Sequence, residues 1–229
     1  MRLKNLATRV CTPDALDMIE HYQTRSERLA DLWVHVVGLA LAAAGGVALA
    51  VLAAVYGGVG AVFATAVYAL CLIAMLTAST VYNLTRPCAA RPVLRRLDEA
   101  AIFLMIAGSY TPFTTQRFEG AWAVGFTLLI WVLAFAGVGI KLVAPRISDA
   151  FWSAVYIGFG WLAVLALKPM IDTVHPVALG LLVLGGLIYT AGVFVFIRPG
   201  VKYRRAIWHG FVLVAATIHF AAIALLVNA

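Results

Sequence analysis

LWVHVVGLALAAAGGVALAVLAAV, residues 32–55, runs for 24 positions without a single Asp, Glu, Lys or Arg. About 20 such residues are enough for an α-helix to cross the hydrocarbon core of a bilayer. Six further apolar stretches follow, at residues 61–83, 98–113, 121–142, 151–167, 175–197 and 206–227. The third and fifth are short, and Pro112 is expected to kink or end the third, because its ring removes a backbone hydrogen bond. Lipid satisfies no backbone donor or acceptor, so spanning segments must be helices or closed barrels. The period-two alternation of barrel strands is absent. The sequence therefore reads as an all-α, seven-helix transmembrane domain over residues 32–229, preceded by a cytoplasmic segment over residues 1–31.

Composition leads to the same class. The 229 residues are 64% hydrophobic and 12% charged, with mean hydropathy +0.98. A soluble domain carries roughly 25% charged residues, and without them a water-facing globule cannot be coated. The net charge of +7 is explained by where the basic residues lie. With the amino terminus cytoplasmic, 15 of the 17 Lys and Arg fall in the cytoplasmic segments, and only Arg117 and Lys168 fall outside. That is the positive-inside distribution, and adding or removing a span would spoil it. The carboxy terminus is then outside. Membrane lipids are the expected partners, and nucleic acid is not.

The leading segment is too polar to span. Thr12, Pro13 and Asp14 resemble a helix start, with a capping hydroxyl, a proline at the first position and an acid in the first turn. Ala15, Leu16, Met18, Ile19 and Tyr22 then recur near helical spacing. This is read as a short helix, either interfacial on the cytoplasmic membrane face or a solvated leader. No cleavable signal pattern precedes the first apolar run, which is expected to remain as a span. Cys11, Cys71 and Cys88 have no metal-binding spacing and are expected to be unpaired thiols.

Ionisable residues at span depth are costly and mark function by default. In the seven-span topology, four groups fall at one depth near the cytoplasmic face. Glu27, Asp31 and His35 are four apart on the first helix, and Ser79 and Asn83 are four apart at the end of the second. Asp98 and Glu99 open the third, and Arg205 and His209, again four apart, begin the seventh. A bundle joining these helices would close them into one polar site. His219, Tyr110, Thr111 and Pro112 are read as packing residues, while His21 and His175 lie at span ends or on the surface. Gly45, Gly46, Gly185 and Gly186 are read as points of close helix contact.

These residues resemble the motifs of the hemolysin III family, the bacterial branch of the progestin and adipoQ receptor superfamily. Ser79-Thr80-Val81-Tyr82-Asn83 is similar to the family's serine-x-x-tyrosine-histidine motif. Leu97-Asp98-Glu99-Ala100-Ala101-Ile102, with Ala107-Gly108-Ser109-Tyr110-Thr111-Pro112-Phe113, resembles its third-helix signature. Ala206-Ile207-Trp208-His209-Gly210-Phe211-Val212, with His219-Phe220, resembles its last helix. Glu27, Asp31, His35 and Gly38 follow its first-helix pattern, with Asp31 where asparagine is usual. The resemblance implies a multi-pass protein of the bacterial inner membrane with a zinc site held by three histidines, helped by the third-helix aspartate through a water and by the second-helix serine. Zinc lowers the pKa of bound water, and some superfamily relatives hydrolyse ceramide amides.

Two of those three histidine positions are occupied here by Asn83 and Arg205. Arg205 is a permanent cation without a lone pair. Ser79, Asp98 and His209 remain as candidate catalytic residues, and Asp98 and His209 as remnants of the metal site. That set is too small for a closed tetrahedral centre, so zinc is not the expected cofactor. Spacing does not single out a relocated site using His35, Glu99 or Glu27. Arg205 is expected either to supply the missing positive charge by pairing with Asp98 or Glu99 or to snorkel to the headgroups beside Arg204 and Lys202. The resulting function is a hemolysin III-like membrane protein with a degenerate metal site, acting in membrane-lipid homeostasis or perturbing membranes as the family name, cytolysis, suggests. Two alternatives stand beside it: a zinc-dependent lipid amide hydrolase, and a lipid-binding receptor. A transporter would carry polar residues along a path across the bilayer, whereas here they crowd at one end.

Overall fold

The computed structural model describes residues 21–143 and 147–228. The proposed helix start at Thr12–Asp14 and most of the leading segment lie outside the described residues. Among the described residues every regular element is helical. The elements are α1 (Arg25–Leu52), a π-helical turn (Ala53–Gly57), α2 (Gly58–Leu84), α3 (Arg91–Gln116) and α4 (Gly120–Val143). They are followed by α5 (Asp149–Gly160), a 3₁₀ segment (Trp161–Ala166), α6 (Leu167–Thr173), α7 (Pro176–Phe196) and α8 (Arg204–Asn228).

Five helical stretches are long and apolar enough to cross a membrane: Arg25–Leu84, Gly120–Val143, Asp149–Thr173, Pro176–Phe196 and Arg204–Asn228. The first, at 60 residues, doubles back on itself. His35 meets Thr80 and a Cβ on Gly46 would meet Ala69 at 3.2 Å, so contacts descend α2 as they climb α1. The reversal is made at Gly58, whose φ of +73° lies in the region that only glycine enters cheaply. Helix α3 is more polar, because its first third carries Arg91, Arg95, Arg96, Asp98 and Glu99.

The outer surface is apolar, as a lipid-facing surface must be. Val59 is 88% exposed, Phe63 68% and Trp33 65%. Helices α7, α8, α1, α2, α3 and α4 pack as successive neighbours, and α5 touches α3 and α7. One apolar core gathers around Leu49, Tyr68, Met105 and Ile223. A second gathers around Phe103, Phe126, Ile130 and Trp152. Close approach at Gly185, where a Cβ would strike the His219 ring, lets α7 and α8 lie against each other.

Two short expected segments are longer than the apolar count suggested. Pro112 does not end α3, which continues to Gln116. Proline removes only one ladder bond, and Pro112 is fully buried, so packing holds the helix together across the gap. The fifth stretch extends to Thr173 but is interrupted by the 3₁₀ segment. The cause is Tyr110 of α3. Its hydroxyl accepts from the Ala163 amide at 2.8 Å and donates to the Gly160 carbonyl at 2.6 Å. A side chain inserted into the i→i−4 ladder is a recognised source of helix distortion.

Candidate functional site

The polar site forms where α1, α2, α3 and α8 bring their charged ends together. Helix α1 begins with a capping box, in which Thr24 Oγ1 accepts from the Glu27 amide at 3.2 Å and Glu27 Oε2 accepts from the Thr24 amide at 3.3 Å. Glu27 is therefore engaged at its own helix terminus, and Oε1 accepts from the Tyr203 amide at 3.3 Å. It shares a helix face with Asp31 and His35 but does not join them. One and two turns further on, Asp31 and His35 are 0% and 2% exposed.

Asp31 sits at the centre. Its Oδ1 is 2.6 Å from His209 Nδ1, its Oδ2 accepts from the Tyr22 hydroxyl, and Oδ2 is 3.5 Å from His35 Nε2. The His35 and His209 rings lie with centroids 4.5 Å apart. His35 Nδ1 is 3.1 Å from Thr80 Oγ1. On its other side His209 Nε2 is 3.4 Å from Ser79 Oγ, and Asn83 Nδ2 donates to Ser79 Oγ at 3.3 Å. Asp98 flanks Ser79 at the same cavity wall. Ser79, Asn83, Asp98, Arg205 and His209 thus share one end of a single cavity. Asp31 and His35 are brought to the same place from α1.

Among the described residues, Arg205 forms no ion pair with either carboxylate that the sequence suggested. Its Nη1 donates to Asn83 Oδ1 at 2.6 Å. Glu99 is engaged instead by Lys141 of α4 and by Arg95 at 3.3 Å. Lys141 is only 5% exposed and lies 4.1 Å from the centroid of the Trp152 ring. The sequence reading missed Lys141 as a partner because nothing in one-dimensional spacing couples the end of α4 to the start of α3. It also missed Tyr22 and Thr80, whose hydroxyl partners become visible only once the helices are packed.

The zinc centre implied by the motif resemblance does not fit these residues. Of the two side chains that stand in the places of histidines, Arg205 donates to the Asn83 amide oxygen, and a guanidinium has no electron pair to give a metal. A different trio does offer donors. Asp31, His35 and His209, all buried, each present a ligand atom within 4.8 Å of the others.

The cavity reaches from this cluster into the bundle and encloses about 530 Å³. Beyond the charged end its walls are mainly apolar and aromatic, including Met75, Met105, Phe113, Phe126 and Leu179, with Ser109, Thr114, Thr190 and His219 as isolated polar members.

Comparison with known proteins agrees with the motifs. The family model described as Haemolysin-III related matches residues 23–220. The chain is 31% identical over 192 residues to the Hemolysin-3 homolog of Bacillus subtilis (strain 168), covering 83% of this chain and 89% of the relative. It is 32% identical over 196 residues to Hemolysin-3 of Bacillus cereus, covering 85% and 89%. It is also 31% identical over 166 residues to the monocyte to macrophage differentiation factor of Homo sapiens, covering 69% and 67%.

Proposed function

The chain belongs to the haemolysin III family of membrane proteins, within the progestin and adipoQ receptor superfamily, and from that membership we propose that it serves membrane-lipid homeostasis by taking one amphiphilic lipid into its bundle. The proposed setting is the bacterial inner membrane, with seven crossings, the amino terminus cytoplasmic and the carboxy terminus outside. The division of basic residues supports this topology. So does the length of α3, whose 26 residues suffice to cross even though its first third is charged.

The observation that carries the reading is the cavity's polarity. Its charged groups stand at one end, and its body is mainly apolar, with single neutral polar side chains such as Ser109, Thr190 and His219 along it. That pattern suits a molecule with one polar head and a hydrocarbon tail, and the volume lies within the range of small-molecule sites. Arg205 and Asn83 would receive an anionic or hydroxylated head, while the methionines and phenylalanines would line the tail.

A hydrolase built on the superfamily's zinc is not supported, because two of its ligand positions carry Asn83 and Arg205. The name Hemolysin-3 describes lysis by a relative. Lysis by this chain would follow only if its insertion opened a leak through the bilayer.

The test uses purified protein in vesicles containing a fatty-acyl probe with a photoreactive tail. Cross-links are expected on cavity residues such as Met75 and Phe113, competed by unlabelled lipid and reduced at least about tenfold by Ile106→Trp, which fills the cavity. Cross-links confined to the outer surface would overturn the reading. Dye release from the same vesicles measures membrane perturbation directly.

A further inference from the structure

We propose that Asp31, His35 and His209 hold one divalent transition-metal ion, at a position displaced from the three-histidine site of the superfamily and independent of what enters the cavity. The case rests on where the protons must be. The Thr80 hydroxyl has one proton, and it goes to the Leu76 carbonyl at 2.6 Å. Thr80 Oγ1 can then only accept at 3.1 Å from His35, so the His35 proton resides on Nδ1. A neutral imidazole carries one such proton, which leaves His35 Nε2 as a bare lone pair.

That lone pair points at another acceptor. Asp31 Oδ2 is 3.5 Å away, and His35 Nε2 has no hydrogen-bond partner among the described residues. At 2% and 0% exposure neither group can turn to water. Two buried acceptors facing each other repel unless positive charge lies between them. The 3.5 Å gap is close to the separation of neighbouring ligands around a tetrahedral ion with bonds of roughly 2.0–2.2 Å.

His209 completes the set from α8. As a ligand through Nδ1 it would release the proton now directed at Asp31 and carry one on Nε2, donated to Ser79 Oγ. The Ser79 oxygen already accepts from Asn83, and its own proton is free to go to Asp98. Both imidazoles would then be oriented by hydroxyls on α2, through Thr80 and Ser79, as metal-bound histidines are commonly fixed by a partner at the far nitrogen. Two imidazoles and one carboxylate favour zinc, ferrous iron or cobalt over magnesium and calcium. Three protein donors leave a position for solvent.

The alternative source of positive charge is a second proton on His35, and one experiment separates the two. The full-length protein is purified in detergent, stripped with chelator and titrated with Co²⁺. One equivalent is expected, with the intense visible bands of four-coordinate cobalt, displaced by one equivalent of Zn²⁺. Elemental analysis of unstripped protein distinguishes zinc from iron. His35→Gln and Asp31→Asn should each weaken binding at least about 100-fold, whereas Glu27→Gln, one turn away, should leave it unchanged. No stoichiometric cobalt on monodisperse wild-type protein overturns the proposal, as does undiminished binding in His35→Gln. If neither variant folds, nitrogen-15 histidine spectra of the wild type decide. Metal-dependent perturbation of His35 Nε2 supports the site, and an imidazolium unaffected by metal overturns it.

Discussion

Arg205 had two carboxylates within one helix turn of each other on α3 to choose from, and it bonds to neither. It donates to the Asn83 amide oxygen at 2.6 Å, so the two residues that break the family motif complete each other. The energetic signature should be pairwise. In a double-mutant cycle with Arg205→Ala and Asn83→Ala, chemical denaturation in mixed micelles is expected to show coupling of about 0.5–3 kcal/mol. The same cycle with Arg205→Ala and Glu99→Gln should be additive within about 0.5 kcal/mol. Much of this chemistry was legible in the sequence, because four-residue spacing places Asp31 with His35, Ser79 with Asn83 and Arg205 with His209 on shared faces. Which residue each face would meet was not legible. That depends on helix rotation and on competing donors such as Lys141, which reaches Glu99 first. Glu27 shows the other limit: its spacing matched the face, but the unsatisfied amides of the first turn claimed it.

Among elements, the apolar runs located the helices and the physics of their neighbours set the ends. Helix α3 starts at Arg91 rather than near residue 98 because charged side chains can line a bundle interior once partners surround them. The break after α5 could not be read from its own sequence, WLAVLA at Trp161–Ala166, since it is imposed by Tyr110 from another helix. Tyr110→Phe would strip the Ala163 amide and the Gly160 carbonyl of that partner. A loss of about 1–3 kcal/mol is expected, measurable as a lowered unfolding midpoint in detergent. No change would mean that the ladder heals without the hydroxyl.

At the scale of the whole molecule, polarity is sorted end to end. Asp31, Arg91, Arg95 and Lys141 are buried near the connections α2–α3, α4–α5 and α7–α8. The proposed orientation puts all of these in the cytoplasm. In a Cys11→Ser background, Cys88 in the α2–α3 connection should react with a membrane-impermeant thiol reagent in inverted vesicles and not in intact spheroplasts. A cysteine placed by Glu119→Cys should do the reverse. Equal labelling of Cys88 from both sides would discard the orientation.

The opposite end has a different character. There α1 passes into α2 through a π-helical turn and Gly58, three residues join α3 to α4, and two join α6 to α7. Among the described residues these three connections offer a water-borne molecule few side chains beyond the helix ends. A ligand that enters the proposed lipid cavity from the surrounding bilayer would have its affinity set by its mole fraction in the leaflet instead of its aqueous concentration.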